Sequence, residues 1–178
     1  MRAGRAWCWG RAETGELAPL PNGLYPTPVR PVPGHKYLSL EAGAYAVCGI
    51  QLDGAVSCFG YDFGSFGRMP LTQIEPGDSP LGPVLPEAMA LLVTDGWNAT
   101  YGRSRYGLGY VWGEPGCCDV FVIPPAMITP SIRVTDIAAS TTQYCVLGEG
   151  GGVYCGRPNT WFGEKGENLS GVPDTTGS

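Results

Sequence analysis

Four short segments of this chain end alike: Trp7-Cys8-Trp9-Gly10, Ser57-Cys58-Phe59-Gly60, Tyr110-Val111-Trp112-Gly113 and Tyr154-Cys155-Gly156. Their closing glycines stand at 10, 60, 113 and 156, so the interval is 43 to 53 residues. A period of that size marks a supersecondary unit that cannot bury its apolar face alone and stacks on its neighbours. The echo continues upstream of each signature. Residues 36–43 correspond to 89–96 and to 133–140, and the last signature has lost the aromatic before its glycine.

Each unit reads as a strand, a small-residue bend, a second strand, a glycine turn and a third strand, followed by a Pro-rich connection. Within Val47–Cys58 the pair Asp53-Gly54 supplies the turn, because glycine takes positive φ at no steric cost. Gly107 and Gly151 occupy the matching places. Helix signals are nearly absent, since Pro recurs and no segment keeps a 3.6-residue apolar period for three turns. Residues 87–92 form the best helical stretch, yet their alignment with the other units assigns them to a strand. With 28 Gly and 17 Pro among 178 residues the chain borders on low complexity, but 43% hydrophobic and 11% aromatic residues indicate a folded chain with many tight turns. The fold expected is all-β, a partial β-propeller of about three to four blade units. It forms one domain, 1–178, with units at about 6–60, 61–113 and 114–156 and a partial one at 157–178.

Two units carry cysteines at the same interval, Cys48 with Cys58 and Cys145 with Cys155. An even interval around a turn with an odd number of residues places both side chains on one face, within about 5.5 Å across the hairpin. Two disulfides are therefore expected, Cys48–Cys58 and Cys145–Cys155. Each would stabilise its hairpin by about 2–3 kcal/mol on the chain-entropy account. Such bridges point to an extracellular or secretory-lumen setting. The alternative is a cytoplasmic protein with reduced, buried cysteines. Cys8 aligns with Cys58 and Cys155, but its partner would precede Met1, which suggests a truncated unit. Cys117 and Cys118 lie outside the repeat, and either could bond to Cys8 or stay free. No metal site is expected, since His35 is the one histidine and close Cys-x-x-Cys spacing is missing.

A formal charge of -5 gives no basic footprint for a phosphate backbone, so nucleic acid is excluded as a partner. Arg2, Arg5 and Arg11 read as a solvated N-terminal tail. No stretch approaches the ~20 apolar residues of a membrane-spanning helix, and no membrane insertion is expected. Residues 1–30 lack the apolar core of a secretory signal. Asn98-Ala99-Thr100 and Asn168-Leu169-Ser170 are glycosylation sequons.

The spacing of these motifs resembles the repeats of the regulator of chromosome condensation family. The matching residues are Leu40-Glu41-Ala42-Gly43, Leu52-Asp53-Gly54-Ala55-Val56 and Trp9-Gly10 through Thr14-Gly15-Glu16-Leu17, and the resemblance runs from about Ala6 to Gly171. The cysteine-stapled variant is similar to secreted bacterial repeats and to Crinkly-type plant receptor ectodomains. The histidine that the family often places after the bend is missing, with Tyr45, Asn98 and Thr142 near that point. The resemblance implies a seven-bladed ring, of which this chain carries about half. A fragment of a longer product, an open arc or two chains completing one ring would each account for that, and the fragment is favoured here. Open blade edges would also permit self-association.

A non-catalytic protein-binding module is the function expected, with another protein as partner and no cofactor. Tyr61, Phe63 and Phe66 in one connection and Trp161 and Phe162 in the corresponding later one are the candidate contacts, because recognition residues concentrate on loops over a rigid scaffold. Packing between blades is the competing role for each. The alternative function is guanine-nucleotide exchange on a small GTPase, the activity of the founding family member. That activity requires a full ring face and an inserted wedge, neither of which is visible. No Gly-x-Ser-x-Gly elbow, P-loop or His-Glu-x-x-His pair suggests an enzyme. His35 reads as an exposed turn residue, and Asp95 and Asp136 read as aligned structural residues and not as paired catalytic carboxylates.

Overall fold

The computed structural model describes residues 4–13, 15–17, 20–60, 85–95, 98–114, 123–129, 131–156 and 170–172. Thirteen strands make four antiparallel sheets, and no helix occurs among the described residues. The first sheet pairs β1 (Cys8–Ala12) with β2 (Gly23–Val29), and the second holds β3 (Tyr37–Ala42), β4 (Ala46–Gln51) and β5 (Val56–Gly60). Four strands complete the third sheet, β6 (Met89–Thr94), β7 (Asn98–Ser104), β8 (Gly109–Glu114) and β9 (Ile123–Met127). The fourth has β10 (Val134–Ala139), β11 (Tyr144–Gly148), β12 (Val153–Gly156) and β13 (Ser170–Val172). Within every sheet, strands lie side by side in chain order.

One turn recurs between the second and third strands. Gln51, Ser104 and Gly148 donate their amides to the carbonyls of Ala55, Leu108 and Gly152, closing loops of three residues. The last loop residue is Gly54, Gly107 or Gly151, with φ of 91°, 80° and 82°. This three-residue hairpin needs a left-handed residue at its end, the place where glycine avoids the Cβ penalty. The same glycines join the sheets: the carbonyls of Gly54 and Gly107 accept from Met89 and Val134, the first residues of the following sheets. Gly4 does this for Tyr37, which makes β1 a third strand by position.

The core is divided among the three junctions. Ala6, Val32, Tyr37 and Phe59 fill the first; Cys48, Ile50, Val56, Cys58, Met89, Leu92, Tyr110 and Trp112 fill the second. The third is made by Ala99, Tyr101, Val111, Ile128, Val134, Ile137, Tyr144 and Val146. Stability is thus carried by neighbour-to-neighbour packing, as a stacked repeat requires.

The ladder revises three details of the sequence reading. Tyr37, Met89 and Val134 are equivalent, and Gly43, Asp95 and Ser140 close the bends by donating to Ala46, Ala99 and Gln143. Residues 36–43 therefore align with 88–95, not 89–96, because the third sheet's bend holds one residue more. It follows that Asp95 and Asp136 are not equivalent: Asp95 closes a bend, whereas Asp136 lies within β10. Second, the Pro-rich connections contain strands, since β2 holds Pro26 and Pro28 and β9 holds Pro124 and Pro125. Both are last strands, where a residue without an N–H need not serve a further neighbour. Third, the missing aromatic of the last unit is supplied across the ladder. Gly156 pairs with Tyr144, and a Cβ on Gly156 would stand 2.7 Å from the Tyr144 hydroxyl. The Tyr144 ring occupies that space and meets Tyr101 of the preceding sheet, ring centres 5.2 Å apart.

Candidate interaction surfaces

The hairpin register sets Cys48 opposite Cys58 and Cys145 opposite Cys155, and both pairs are bonded, with Cα atoms 4.0 and 4.1 Å apart. The first bridge is buried in the second junction, while the second is half-buried on the outer face of the last sheet. Cys8, at the equivalent place in β1, is a free, half-buried thiol, and burial raises its pKa. Together the bridges and three-residue turns give a stiff frame whose turn ends present side chains to solvent.

At those ends the structure exposes apolar groups that the sequence reading passed over. Leu52 and Tyr106 are 58% and 66% exposed in the same turn of neighbouring sheets. Leu38, at the strand irregularity following Tyr37, is also exposed. The Arg133 guanidinium donates to the Tyr106 carbonyl and ties this turn to the fourth sheet. Because the Gly54 and Gly107 carbonyls bond to the following sheets, the turns form one continuous rim. The signal was present in the sequence: Leu52 immediately precedes Asp53-Gly54, and a large apolar residue in a tight polar turn has no interior to enter.

Tyr61, Phe63, Phe66, Trp161 and Phe162, the contacts expected from sequence, lie outside the described residues, as do Cys117, Cys118 and Asn168. His35 does sit in a turn, its amide donating to Val32, but it is half-buried with its ring 6.4 Å from that of Tyr37. The Asp95 carboxylate accepts from the Ala99 amide at 3.2 Å, and that of Asp136 from Ile137 at 2.9 Å. Both therefore serve the backbone. The Tyr110 hydroxyl donates to Glu87 at 2.6 Å, and burial followed by this carboxylate pushes the phenol up to about 12. Burial also raises Tyr37, Tyr101 and Tyr144. These phenols stay protonated across the physiological range, so their part is packing and hydrogen bonding.

No protein-family model and no curated protein sequence matches the chain. Solved structures do. Human WBSCR16 superposes with a TM-score of 0.68 at 15% identity over 88% of this chain and 44% of its own. Prp20p from Saccharomyces cerevisiae, the yeast RCC1, gives 0.63 at 17% identity over 96% of this chain and 46% of its own. The fold is a partial β-propeller. The ectodomain of the Physcomitrella patens receptor kinase CR4 agrees, with a TM-score of 0.57 at 19% identity over 88% of this chain and 34% of its own. In each case the chain spans less than half of the matched structure.

Proposed function

We propose that this partial propeller is a non-catalytic module that binds another protein, and that it belongs to the regulator of chromosome condensation repeat family. The carrying observation is the rim on which Leu52 and Tyr106 stand solvent-exposed at a repeated turn of a stapled scaffold. Tyrosine and leucine in this setting offer contact area at a small ordering cost, and tyrosine is enriched where interface energy concentrates. We further propose Tyr61, Phe63, Phe66, Trp161 and Phe162 as contacts. The two disulfides support an oxidising, extracellular or secretory setting. Two solved relatives are described in complexes or binding studies, Kap60 with yeast RCC1 and Gsp1p and histones with Prp20p, which is consistent with a protein partner.

Guanine-nucleotide exchange on a small GTPase is the second reading, motivated by the likeness to the Prp20p fold. A nucleotide-release assay separates the two. The binding reading expects a protein that is captured by the chain and lost with the double variant Leu52→Asp, Tyr106→Ala, while GTPase-bound nucleotide leaves at its spontaneous rate. Accelerated release would instead establish exchange activity.

A further inference from the structure

The position before the closing glycine is buried wherever its sheet is complete. Phe59 and Trp112, each the fifth residue after its turn glycine, are 0% exposed. Trp9, the fifth residue after Gly4, is 66% exposed. What covers the ring elsewhere is visible in the third sheet. A Cβ on Gly102 would stand 3.0 Å from the Trp112 ring and 3.1 Å from the Met89 sulfur, so this ring lies over the first two strands of its own sheet. Those two strands are what β1 lacks: among the described residues it pairs with β2 alone.

Everything else about β1 matches a third strand. Its turn glycine has φ 72° and accepts from the next sheet, and its closing Gly10 has φ 113°, the value at Gly60. Its cysteine stands where Cys58 and Cys155 are bonded to second-strand cysteines directly opposite. Cys8 alone of the three is free. An unpaired strand edge beside an exposed tryptophan is a template for an added strand.

We propose that the β1 edge accepts a β-hairpin from another polypeptide chain, antiparallel to β1, in the place that β3 and β4 occupy against β5. This goes beyond the rim-based reading of function and uses a different surface. The occupant's chemistry follows from the complete sheets. Its second strand carries a glycine beneath the Trp9 ring, as at Gly49 and Gly102; a residue such as Val47 or Thr100 opposite Trp9; and a cysteine or apolar residue opposite Cys8. A second copy does not fit this role, because β4, β7 and β11 are each already paired to a third strand of their own.

The test uses the 178-residue protein, with its bridges intact, and a synthetic peptide copying residues 36–52. The peptide's Cys48 is activated as a mixed disulfide with thionitrobenzoate. The Cys8 thiolate attacks the peptide sulfur, the peptide–thionitrobenzoate bond breaks, and the coloured thiolate departs with the electron pair, so no further oxidant is needed. Exchange that maps to Cys8 and runs about tenfold or more faster than with a scrambled peptide of the same composition is expected, a preference of at least ~1.4 kcal/mol. A Cys48→Ser peptide should shift tryptophan emission to the blue in the native protein but not in Trp9→Phe. Equal rates for the two peptides, no Trp9-dependent shift, or a Cys8-linked homodimer in place of the adduct would overturn the proposal.

Discussion

The same side chain does different work at the same repeat position. Trp112 is enclosed between the second and third sheets, whereas Trp9 is 66% exposed. Truncating a large buried aromatic costs about 3–5 kcal/mol, so Trp112→Ala should lower unfolding stability by that much. Trp9→Ala should stay within about 0.5 kcal/mol, and chemical denaturation measures both. The tyrosines give a second residue-scale expectation. Tyr110 is raised from 10.0 to about 12, chiefly by burial, and Tyr37, Tyr101 and Tyr144 move the same way. The folded chain therefore holds protons that the unfolded chain has released. Stability is fully present below pH ~10 and falls as pH rises toward ~12. The denaturation midpoint should decline over that window, with tyrosinate absorbance lagging behind that of free tyrosine. A flat midpoint would mean that these phenols are solvated.

The hairpins, at the scale of elements, were the most legible feature of the sequence. Turn glycine, closing glycine and cysteine all recur at fixed intervals, and each interval reports a register that the ladder reproduces. The first bend was less legible. Identical spacing from Gly43 to Gly60 and from Gly96 to Gly113 hid one extra residue, because Asp95 and not Gly96 closes the bend. Proline misled in another way. Its missing donor suggested loops, but a last strand has a free edge and tolerates it, so β2 and β9 went unread. The exchange of an aromatic at the last signature for Tyr144 on the adjacent strand follows from cross-strand packing, which no single-strand alignment carries. The bridges give the element-scale prediction. Replacing Cys48 and Cys58 together by serine should cost about 2–3 kcal/mol from the lost loop constraint, plus the cost of placing hydroxyls in an apolar junction. The same change at the half-buried Cys145 and Cys155 should cost only the first part. Equal losses at the two sites would contradict the burial difference between them.

Across the whole molecule, a stack of sheets with its core divided among three junctions has no central cavity on which its recognition surface depends. Exposed side chains at the turn rim and at the β1 edge are then the places where another chain can add buried area. The candidate contacts chosen from sequence were connection aromatics outside the described residues, whereas Leu52, Tyr106 and Trp9 stood out only once burial could be compared between equivalent positions. Composition and spacing reveal the repeat, but exposure depends on which neighbour is present, and that is a property of the assembled stack. The register of the repeat underlies all of these assignments. It is tested most directly by alkylating free thiols in the non-reduced protein, digesting it and mapping the linked peptides by mass. The account requires Cys48 linked to Cys58, Cys145 linked to Cys155, and Cys8 alkylated. Alkylated Cys48 and Cys145, or bridges that cross between the two hairpins, would contradict the shared register and the stacked hairpin sheets derived from it.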